Sequence, residues 1–326
     1  MSSVDVVIPC YNYARYLSQC VASVLNQEDV EVRILIIDDC SQDDSEIVGR
    51  RLAEQDSRIE YRRHSINQGH IATYNEGLLE WASGDYVLLL SADDALSKGA
   101  FSRAAYVLDK YPNVGLCYGE QIVFENEPPL SIKNKEKLSF QITGSQEFLE
   151  SVYRNGSNPV PTPTAVIRTT LQKTIGGYKP ELPHAGDLEM WLRCAANAPV
   201  AHLNAVQAFK REHQNNMAKD FTQTILPDLR QRKLAFESVI YQYIGQIKNP
   251  KELLIYSNQS LANQAFWGAH ALFEGGNIKL CNELLDFTLD LDPSFFSKIE
   301  WKRFKLKRKM GPQLWNLLEP LIKLFH

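Results

Sequence analysis

The stretch Tyr86-Val87-Leu88-Leu89-Leu90-Ser91-Ala92-Asp93-Asp94 joins the most apolar run of the chain directly to a pair of carboxylates. A short apolar run without helical spacing is typical of a strand that is buried on both faces. Residues 32–37 form a second run of this kind and end in Asp38-Asp39, and residues 4–8 form a third that ends at Pro9. Apolar runs that end in polar turns therefore recur along the first third of the chain.

Helical patterns separate these runs. Leu17, Val21 and Val24 recur at the spacing of one helix face, and a second helical pattern passes through Leu78 and Trp81. Repeated strand–helix–strand units predict an α/β fold with a mostly parallel, Rossmann-like sheet flanked by helices. Ligands bind beyond the carboxyl ends of the strands in such sheets, so the polar residues after the three strands are expected to converge on one site.

Charge and cysteine usage restrict the function classes. A formal net charge of -4 over 326 residues argues against nucleic-acid binding by the whole chain. Six scattered cysteines with no CxxC pair are typical of reduced cytoplasmic thiols rather than of disulfides or a zinc site. Residues 1–5 lack the features of a signal peptide, and no run of about 18 apolar residues predicts a membrane span. We therefore expect a cytoplasmic protein.

The second half of the chain changes character twice. Residues 120–143 are polar and contain proline, which predicts a loop. Helical and strand patterns then alternate as far as residue 209, and from about residue 222 every segment has helical periodicity. We predict two regions, a sheet-containing domain over 1–220 and an all-helical region over 221–326.

Four motifs follow one another along the first region. They are Val6-Val7-Ile8-Pro9-Cys10-Tyr11-Asn12, Ile36-Ile37-Asp38-Asp39-Cys40-Ser41, Asn67-Gln68-Gly69 with Asn75-Glu76-Gly77, and Ser91-Ala92-Asp93-Asp94. Their order and spacing resemble those of family 2 glycosyltransferases, and the resemblance extends over residues 4–217. It implies the GT-A fold and an inverting transfer of a sugar from a nucleotide-diphosphate sugar, with UDP the most expected nucleotide. It also implies a glycan or lipid-linked glycan as acceptor, in polysaccharide or glycolipid assembly.

The resemblance assigns one group of residues to the nucleotide of the donor. A turn can present backbone amides and an aromatic ring to a base, and a carboxylate can accept hydrogen bonds from a base N–H or a ribose hydroxyl. The implied residues are Pro9, Tyr11, Asn12, Asp38, Asn67, Gly69, Asn75, Ser91, Ala92 and Asp93. Alternatively, Asp38 and Asp39 only cap the next helix, and Asn67-Gln68-Gly69 is an ordinary turn.

A divalent cation, Mn²⁺ or Mg²⁺, is implied beside the diphosphate. Hard cations take carboxylate and phosphate oxygens together, which favours Asp93 as a ligand with Asp94 as the second. Arg211-Glu212-His213 resembles the family's Arg-x-His tail, so His213 is implied at the metal and both Arg211 and His213 at the diphosphate. Ser91 stands where the family typically has an aspartate, and it supplies no charge.

An inverting transfer needs a general base that takes the proton of the acceptor hydroxyl. The stretch Gly186-Asp187-Leu188-Glu189-Met190-Trp191-Leu192-Arg193 resembles the family's Glu-Asp pair before a Trp-Leu-Arg run. Asp187 takes the position of the base, Gly186 replaces the usual preceding acid, and Glu189 is the fallback. The two acids point about 200° apart on a helix, so one of them is expected to face the site. The alternative is that these acids only stabilise the helix N-terminus.

A basic run near the C-terminus precedes an apolar, Trp-containing stretch at residues 312–325. The cations are Lys298, Lys302, Arg303, Lys305, Lys307, Arg308 and Lys309. The combination suits peripheral docking on an anionic membrane surface. It is equally compatible with an apolar face that packs on the rest of the chain while the lysines stay solvated.

Two other functions fit the same fold class. A non-catalytic scaffold or interaction protein would explain Ser91 and Gly186, whereas the intact acid pair and Asp187 favour an enzyme. A sugar nucleotidyltransferase is expected to carry a Gly-rich phosphate loop after the first strand, and Pro9-Cys10-Tyr11-Asn12 is not such a loop.

Overall fold

The structure is a computed structural model that describes residues 1–129, 138–213 and 225–311. Within these residues nine strands form one sheet, and they are β1 Ser3–Cys10, β2 Glu31–Asp38, β3 Ile59–Arg63, β4 Tyr86–Leu89, β5 Ala95–Leu96, β6 Leu116–Phe124, β7 Phe140–Thr143, β8 Val166–Arg168 and β9 Val200–Arg211. Their order in the sheet is β3-β2-β1-β4-β8-β6-β9-β5, with β7 paired to β9.

Helices cover the sheet and follow it along the chain. They are α1 Ala14–Leu25, α2 Ser45–Gln55, α3 His70–Asn75, α4 Ala100–Lys110, α5 Ser145–Asn155, α6 Thr169–Ile175, α7 Gly186–Asn197, α8 Ile225–Gln242, α9 Pro250–Glu274, α10 Ile278–Leu291 and α11 Ile299–Met310. A π-helical turn, Glu76–Trp81, extends α3, and 3₁₀ turns lie at Thr162–Thr164 and Pro293–Ser297.

The first four strands form a parallel half-sheet. β1 pairs in parallel with β2 and β4, and β2 pairs in parallel with β3. Val7 and Leu35 pack into the core on one face, while Val6 and Ile34 pack into the core on the other. Because successive strand residues point to opposite faces and both faces are covered, these strands read as continuous apolar runs.

The predicted α/β fold class is confirmed, and the other half of the sheet is mixed. β8 pairs antiparallel with β4 and β6, and β9 pairs parallel with β6 but antiparallel with β5 and β7. The prediction of a loop over residues 120–143 is wrong at both ends of that range, because β6 continues to Phe124 and β7 begins at Phe140. Pairing with the long strand β9 satisfies the backbone of these polar segments, and tertiary pairing overrides their weak local propensity.

Every described residue from Ile225 onward belongs to a helix or to a turn between helices, as predicted. This region shares a core with α5 and α7, which includes Tyr153, Phe236 and Phe266. The hydroxyl of Tyr153 donates to the carbonyl of Phe236 at 2.8 Å. The predicted boundary at residue 220 lies outside the described residues. Among those described, none of the helices has the length and apolar character needed to cross a membrane.

Candidate functional site

A cavity of about 730 Å³ opens at the carboxyl ends of the parallel strands β1, β2 and β4, beside the end of β9. Its wall combines residues from the turns after the strands, from α3 and from the segment before α7. The residues are Pro9, Cys10, Tyr11, Tyr13, Asp39, Asn67, Gly69, His70, Ile71, Thr73, Tyr74, Leu89, Ser91, Asp93, Asp94, Gln121, Asn158–Pro163, Tyr178, Pro183, His184, Gly186, Asp187 and Lys210. The polar residues after three strands therefore converge, as expected for a parallel half-sheet.

One side of the cavity contains residues predicted to hold the nucleotide. Pro9, Tyr11, Asn67, Gly69 and Ser91 all lie on its wall. The Tyr11 ring is 46% exposed. Gly69 has a φ of 84°, which favours glycine at this turn. An exposed ring beside a turn of backbone amides can receive a flat base and a ribose.

The two acids after β2 have different environments. Asp38 is fully buried, and it accepts hydrogen bonds from the Tyr61 hydroxyl (2.7 Å), the Arg63 guanidinium (2.6 Å) and the Ser41 backbone N–H (2.8 Å). Burial alone would raise the pKa of Asp38, but these bonds outweigh it and lower the pKa. Asp39 is the acid on the cavity wall. Of this pair, the structure brings the second acid to the cavity rather than the first.

Asp39 also shapes the turn that carries Gly69. Its carboxylate accepts the backbone N–H groups of Gln68 at 2.7 Å and Gly69 at 2.8 Å. The buried ring of His64 lies between two carboxylates, with Nδ1 2.7 Å from Asp39 and Nε2 2.8 Å from Glu76. Burial would lower the pKa of His64, but the two carboxylates together raise it.

Besides Asp38, three residues predicted at the nucleotide lie off the cavity wall. Asn12 accepts the backbone N–H of Gln42 at 2.7 Å. The Asn75 amide bridges the backbone of Tyr178, donating to its carbonyl at 2.9 Å and accepting from its N–H at 2.7 Å. Ala92 is fully buried in the core. These side chains support the turns that form the wall.

The acid pair after β4 lies on the cavity wall. Asp93 and Asp94 are only 5% and 7% exposed, yet both line the cavity. Burial and the neighbouring Asp93 charge raise the pKa of Asp94 well above its usual range. Asp94 accepts the Arg211 backbone N–H at 2.9 Å, and Asp93 lies 3.0 Å from His213 Nε2.

The donor set fits a hard divalent cation bound together with a substrate. Across residues 1–129, 138–213 and 225–311, no three His, Cys, Asp or Glu side chains are grouped so as to hold a metal on their own. Two adjacent carboxylates, however, suffice for Mg²⁺ or Mn²⁺ when phosphate oxygens and water complete the shell. Asp93 and Asp94 are the residues that would hold it, with His213 beside Asp93.

Arg211, predicted at the diphosphate, has its guanidinium behind the acid pair rather than on the wall. Its Nε donates to the Asp93 carbonyl at 3.0 Å, and its guanidinium carbon lies 4.4 Å from the ring centroids of both Tyr16 and Phe124. The preceding residue, Lys210, lies on the cavity wall instead. Lys210 was not among the predicted site residues. The alternation of side chains along a strand indicates it, because Lys210 and Arg211 must point to opposite faces.

The predicted base, Asp187, also lies on the cavity wall, in the first turn of α7. Asp187 accepts hydrogen bonds from the Thr162 hydroxyl at 2.6 Å and the Tyr178 hydroxyl at 3.0 Å. Burial raises the pKa of Asp187, and the two hydroxyls offset this only in part. A raised pKa makes the ionised carboxylate a stronger proton acceptor.

The structure also accounts for Glu189, the alternative candidate for the base, and for the glycine at position 186. Glu189 is fully buried and pairs with Arg193 at 2.8 Å and Lys179 at 2.9 Å, away from the cavity wall. A Cβ on Gly186 would lie 3.0 Å from the Tyr178 ring. The glycine therefore gives room to the ring whose hydroxyl holds Asp187, in the place where the family pattern has an acid.

The wall also contains residues from outside the motifs, among them Thr162, Tyr178 and His184. Thr162 comes from a Pro-rich segment, Tyr178 from a loop, and His184 lies just before α7. His184 Nε2 is 2.9 Å from Asp228 on α8, so the helical region also supports this side of the cavity. No periodic pattern in the sequence indicates them, because each reaches the wall from an irregular segment.

His64 makes the stability of the Asp39 turn dependent on pH. Its pKa is raised on folding, so its stabilising contribution is fully present below about pH 6.5 and is lost as the pH rises through the folded-state pKa. We predict that His64→Gln lowers the free energy of unfolding more at pH 6 than at pH 9, measured by urea denaturation. His202→Gln, at a surface pair with Glu120, is the matched control. An equal loss at both pH values would contradict the prediction.

Comparison with known proteins places this geometry in a family. Residues 5–169, just over half of the chain, match the family described as glycosyl transferase family 2. A glycosyltransferase of Nostoc sp. is 32% identical over 174 residues, which are 52% of each chain. The GalNAc(5)-diNAcBac-PP-undecaprenol beta-1,3-glucosyltransferase of Campylobacter jejuni is 35% identical over 103 residues, which are 31% of this chain and 33% of that protein. The chain spans between 33% and 63% of the length of the first four such relatives.

Solved structures share the fold at low sequence identity. S. aureus TarS 1-349 in complex with UDP-GlcNAc has a TM-score of 0.57 at 15% identity, over 90% of this chain and 91% of that one. The mannosyltransferase PcManGT from Pyrobaculum calidifontis, in complex with GDP-Man and Mn²⁺, has a TM-score of 0.56 at 14% identity, over 97% and 87%. The family match, the order of motifs and the cavity at the strand ends agree, and the chain belongs to glycosyltransferase family 2.

Proposed function

We propose that this protein transfers a sugar from a nucleotide-diphosphate sugar to an acceptor hydroxyl, with inversion at the anomeric carbon. The observation that carries the proposal is a single cavity whose wall includes both the Asp93-Asp94 pair and Asp187. The adjacent pair suits a leaving diphosphate, and Asp187 suits an acceptor hydroxyl.

The wall residues have distinct roles in this reaction. Tyr11, Asn67 and the Asp39 turn receive the nucleoside, and Ser91 is placed for a ribose hydroxyl. Asp93 and Asp94 would hold Mn²⁺ or Mg²⁺, which when bound neutralises charge on the departing diphosphate. Asp187 takes the proton of the acceptor hydroxyl as its oxygen attacks the anomeric carbon from the face opposite the diphosphate.

The nature of the donor and acceptor is proposed from the relatives. TarS binds UDP and UDP-GlcNAc, and PcManGT binds GDP-Man. A UDP-sugar donor is our first choice, since the exposed tyrosine and the turn carboxylate suit uracil. The Campylobacter relative is named for an undecaprenol-linked glycan, which supports a glycan or lipid-linked glycan acceptor here.

Nucleotide binding tests the donor assignment. Titration calorimetry with UDP, GDP and dTDP is expected to show that one nucleotide binds, and that Mn²⁺ tightens binding. Asp93→Ala should lose most of the Mn²⁺-dependent gain, about tenfold or more, because it removes a charged ligand. Asp290→Ala, at an exposed acid of α10, is the control and should bind as wild type. If no nucleotide binds at millimolar concentration, a non-catalytic scaffold becomes the better interpretation.

Two amide substitutions on α7 test the base. Asp187→Asn should lower the rate of transfer about 10²–10⁴-fold, the usual contribution of a general base, with little loss of stability. Glu189→Gln should instead lower the free energy of unfolding by about 3 kcal/mol, because it breaks a buried ion pair. Rates and urea denaturation are measured on both proteins. The reverse pattern, with the rate lost in Glu189→Gln alone, would transfer the role of base to Glu189.

We also propose that α11 contacts an anionic membrane surface on the cytoplasmic side. Lys298 and Lys307 pair internally with Asp292 and Glu274. The exposed face of α11 combines Ile299 and Leu306, which are 59% and 51% exposed, with basic side chains. The exposed basic residues are Lys302, Arg303, Lys305, Arg308 and Lys309. Such a mixture suits lipid headgroups and the adjacent acyl chains. The second predicted segment, residues 312–325, lies outside the described residues.

Vesicle sedimentation tests the membrane contact. With vesicles of phosphatidylglycerol and phosphatidylcholine, the double substitution Lys302→Glu/Arg303→Glu should weaken binding about tenfold or more, since each basic residue contributes about 1 kcal/mol. Reversing two exposed cations on another helix, Arg50→Glu/Arg51→Glu of α2, is the matched control. Equal binding of wild type and the α11 variant would refute the contact.

A further inference from the structure

The strand that ends at the acid pair also presents an unexplained cation to the cavity. Lys210 is the penultimate residue of β9, paired in register with Val123 of β6. Its neighbour Arg211 is 3% exposed and extends behind the acid pair. Since consecutive strand residues point to opposite faces, the side chain of Lys210 extends to the cavity side, where it is exposed.

The charge of Lys210 acts on two acids of the cavity wall. It contributes to lowering the pKa of Asp94 and also that of Asp187, against the larger effect of burial on each. The side chain of Lys210 makes no hydrogen bond or ion pair with any residue in the described ranges 1–129, 138–213 and 225–311. The ammonium therefore lies within the field of both acids and has its donors available to a ligand.

The charge balance of the cavity indicates what that ligand is. Asp39, Asp93, Asp94 and Asp187 all lie on the wall, and carboxylates repel an anion. Ser91 adds no charge, and the guanidinium of Arg211 is occupied behind the wall. Lys210 is the one Lys or Arg side chain among the described wall residues. A lysine ammonium is a compact point charge that binds phosphate oxygens.

We propose that Lys210 binds the diphosphate of the donor directly and stabilises the charge that develops on it as the sugar leaves. The proposal rests on the function proposed above and adds a residue that the sequence motifs do not indicate. When the acceptor oxygen bonds to the anomeric carbon, the bond from that carbon to the diphosphate oxygen breaks. Its electron pair stays on the diphosphate, beside the ammonium. The one proton that moves goes from the acceptor hydroxyl to Asp187.

Comparing a nucleoside diphosphate with its nucleoside isolates this contact. Calorimetry is done with UDP and uridine, or the pair for whichever nucleotide wild type binds, in Mn²⁺ and again in EDTA. Lys210→Met should weaken diphosphate binding about tenfold or more, as expected for a charge-assisted hydrogen bond, and leave nucleoside binding unchanged. Lys210→Arg should retain most of the affinity. Lys98→Met, at an exposed lysine that pairs with Glu28, is the matched control.

The outcomes separate this inference from the proposed function. If wild type binds the diphosphate and Lys210→Met binds it equally well, Lys210 is not a ligand of the donor, whereas the transferase proposal stands. An equal loss for nucleoside and diphosphate would assign Lys210 to the shape of the cavity and refute the contact. Inorganic phosphate is also titrated into the UDP-saturated protein. If Lys210→Met loses only this phosphate binding, Lys210 binds an anion of the acceptor, and the contact with the donor diphosphate is refuted. Failure of wild type to bind any nucleotide would overturn both proposals.

Discussion

Negative charge held at the edge of an apolar sheet is the constraint on which this site depends. Asp38, Asp93 and Asp94 follow apolar strands and are buried, and Asp187 lies on the same cavity in the first turn of α7. Burial penalises a charged carboxylate unless donors surround it. Asp38 has enough donors for its pKa to fall, whereas the pKa values of Asp94 and Asp187 remain raised. The structure therefore separates a satisfied structural acid from acids that can still gain from a ligand.

Strand and helix geometry then selects which of two neighbouring residues faces the cavity. In β9 the side chain of Lys210 faces the cavity. The next residue, Arg211, points to the opposite face of the strand, where its guanidinium supports the acid pair from behind. In α7 Asp187 faces the cavity. Glu189, two residues later, points away from it and forms a buried ion pair with Arg193. In both cases the residue that does not face the cavity stabilises the element that carries the one that does.

The helical region supports the part of the cavity wall that contains Tyr178, His184 and Asp187. Asp228 of α8 contacts His184, and Lys179 links Glu189 to Ser238 of α8. These contacts hold both ends of the segment between α6 and α7, which carries Tyr178 and leads into Asp187. The segment is irregular, so its position depends on these side-chain contacts more than on its own backbone.

The sequence by itself determined the α/β class, the parallel half-sheet, the helical C-terminal region and the acid pair at the end of β4. Apolar runs and helix periodicity are local, and residues 86–94 place a buried strand directly before two acids. Only the tertiary structure decided that Asp39 rather than Asp38 lies on the cavity wall, that Lys210 faces it, and that Tyr178 occupies the space beside Gly186. It also decided that residues 120–124 and 140–143 are strands. The position of Asp38 depends on Tyr61 and Arg63, and the pairing of β6 and β7 depends on β9. These partners are distant in the chain, and no local pattern encodes such pairings.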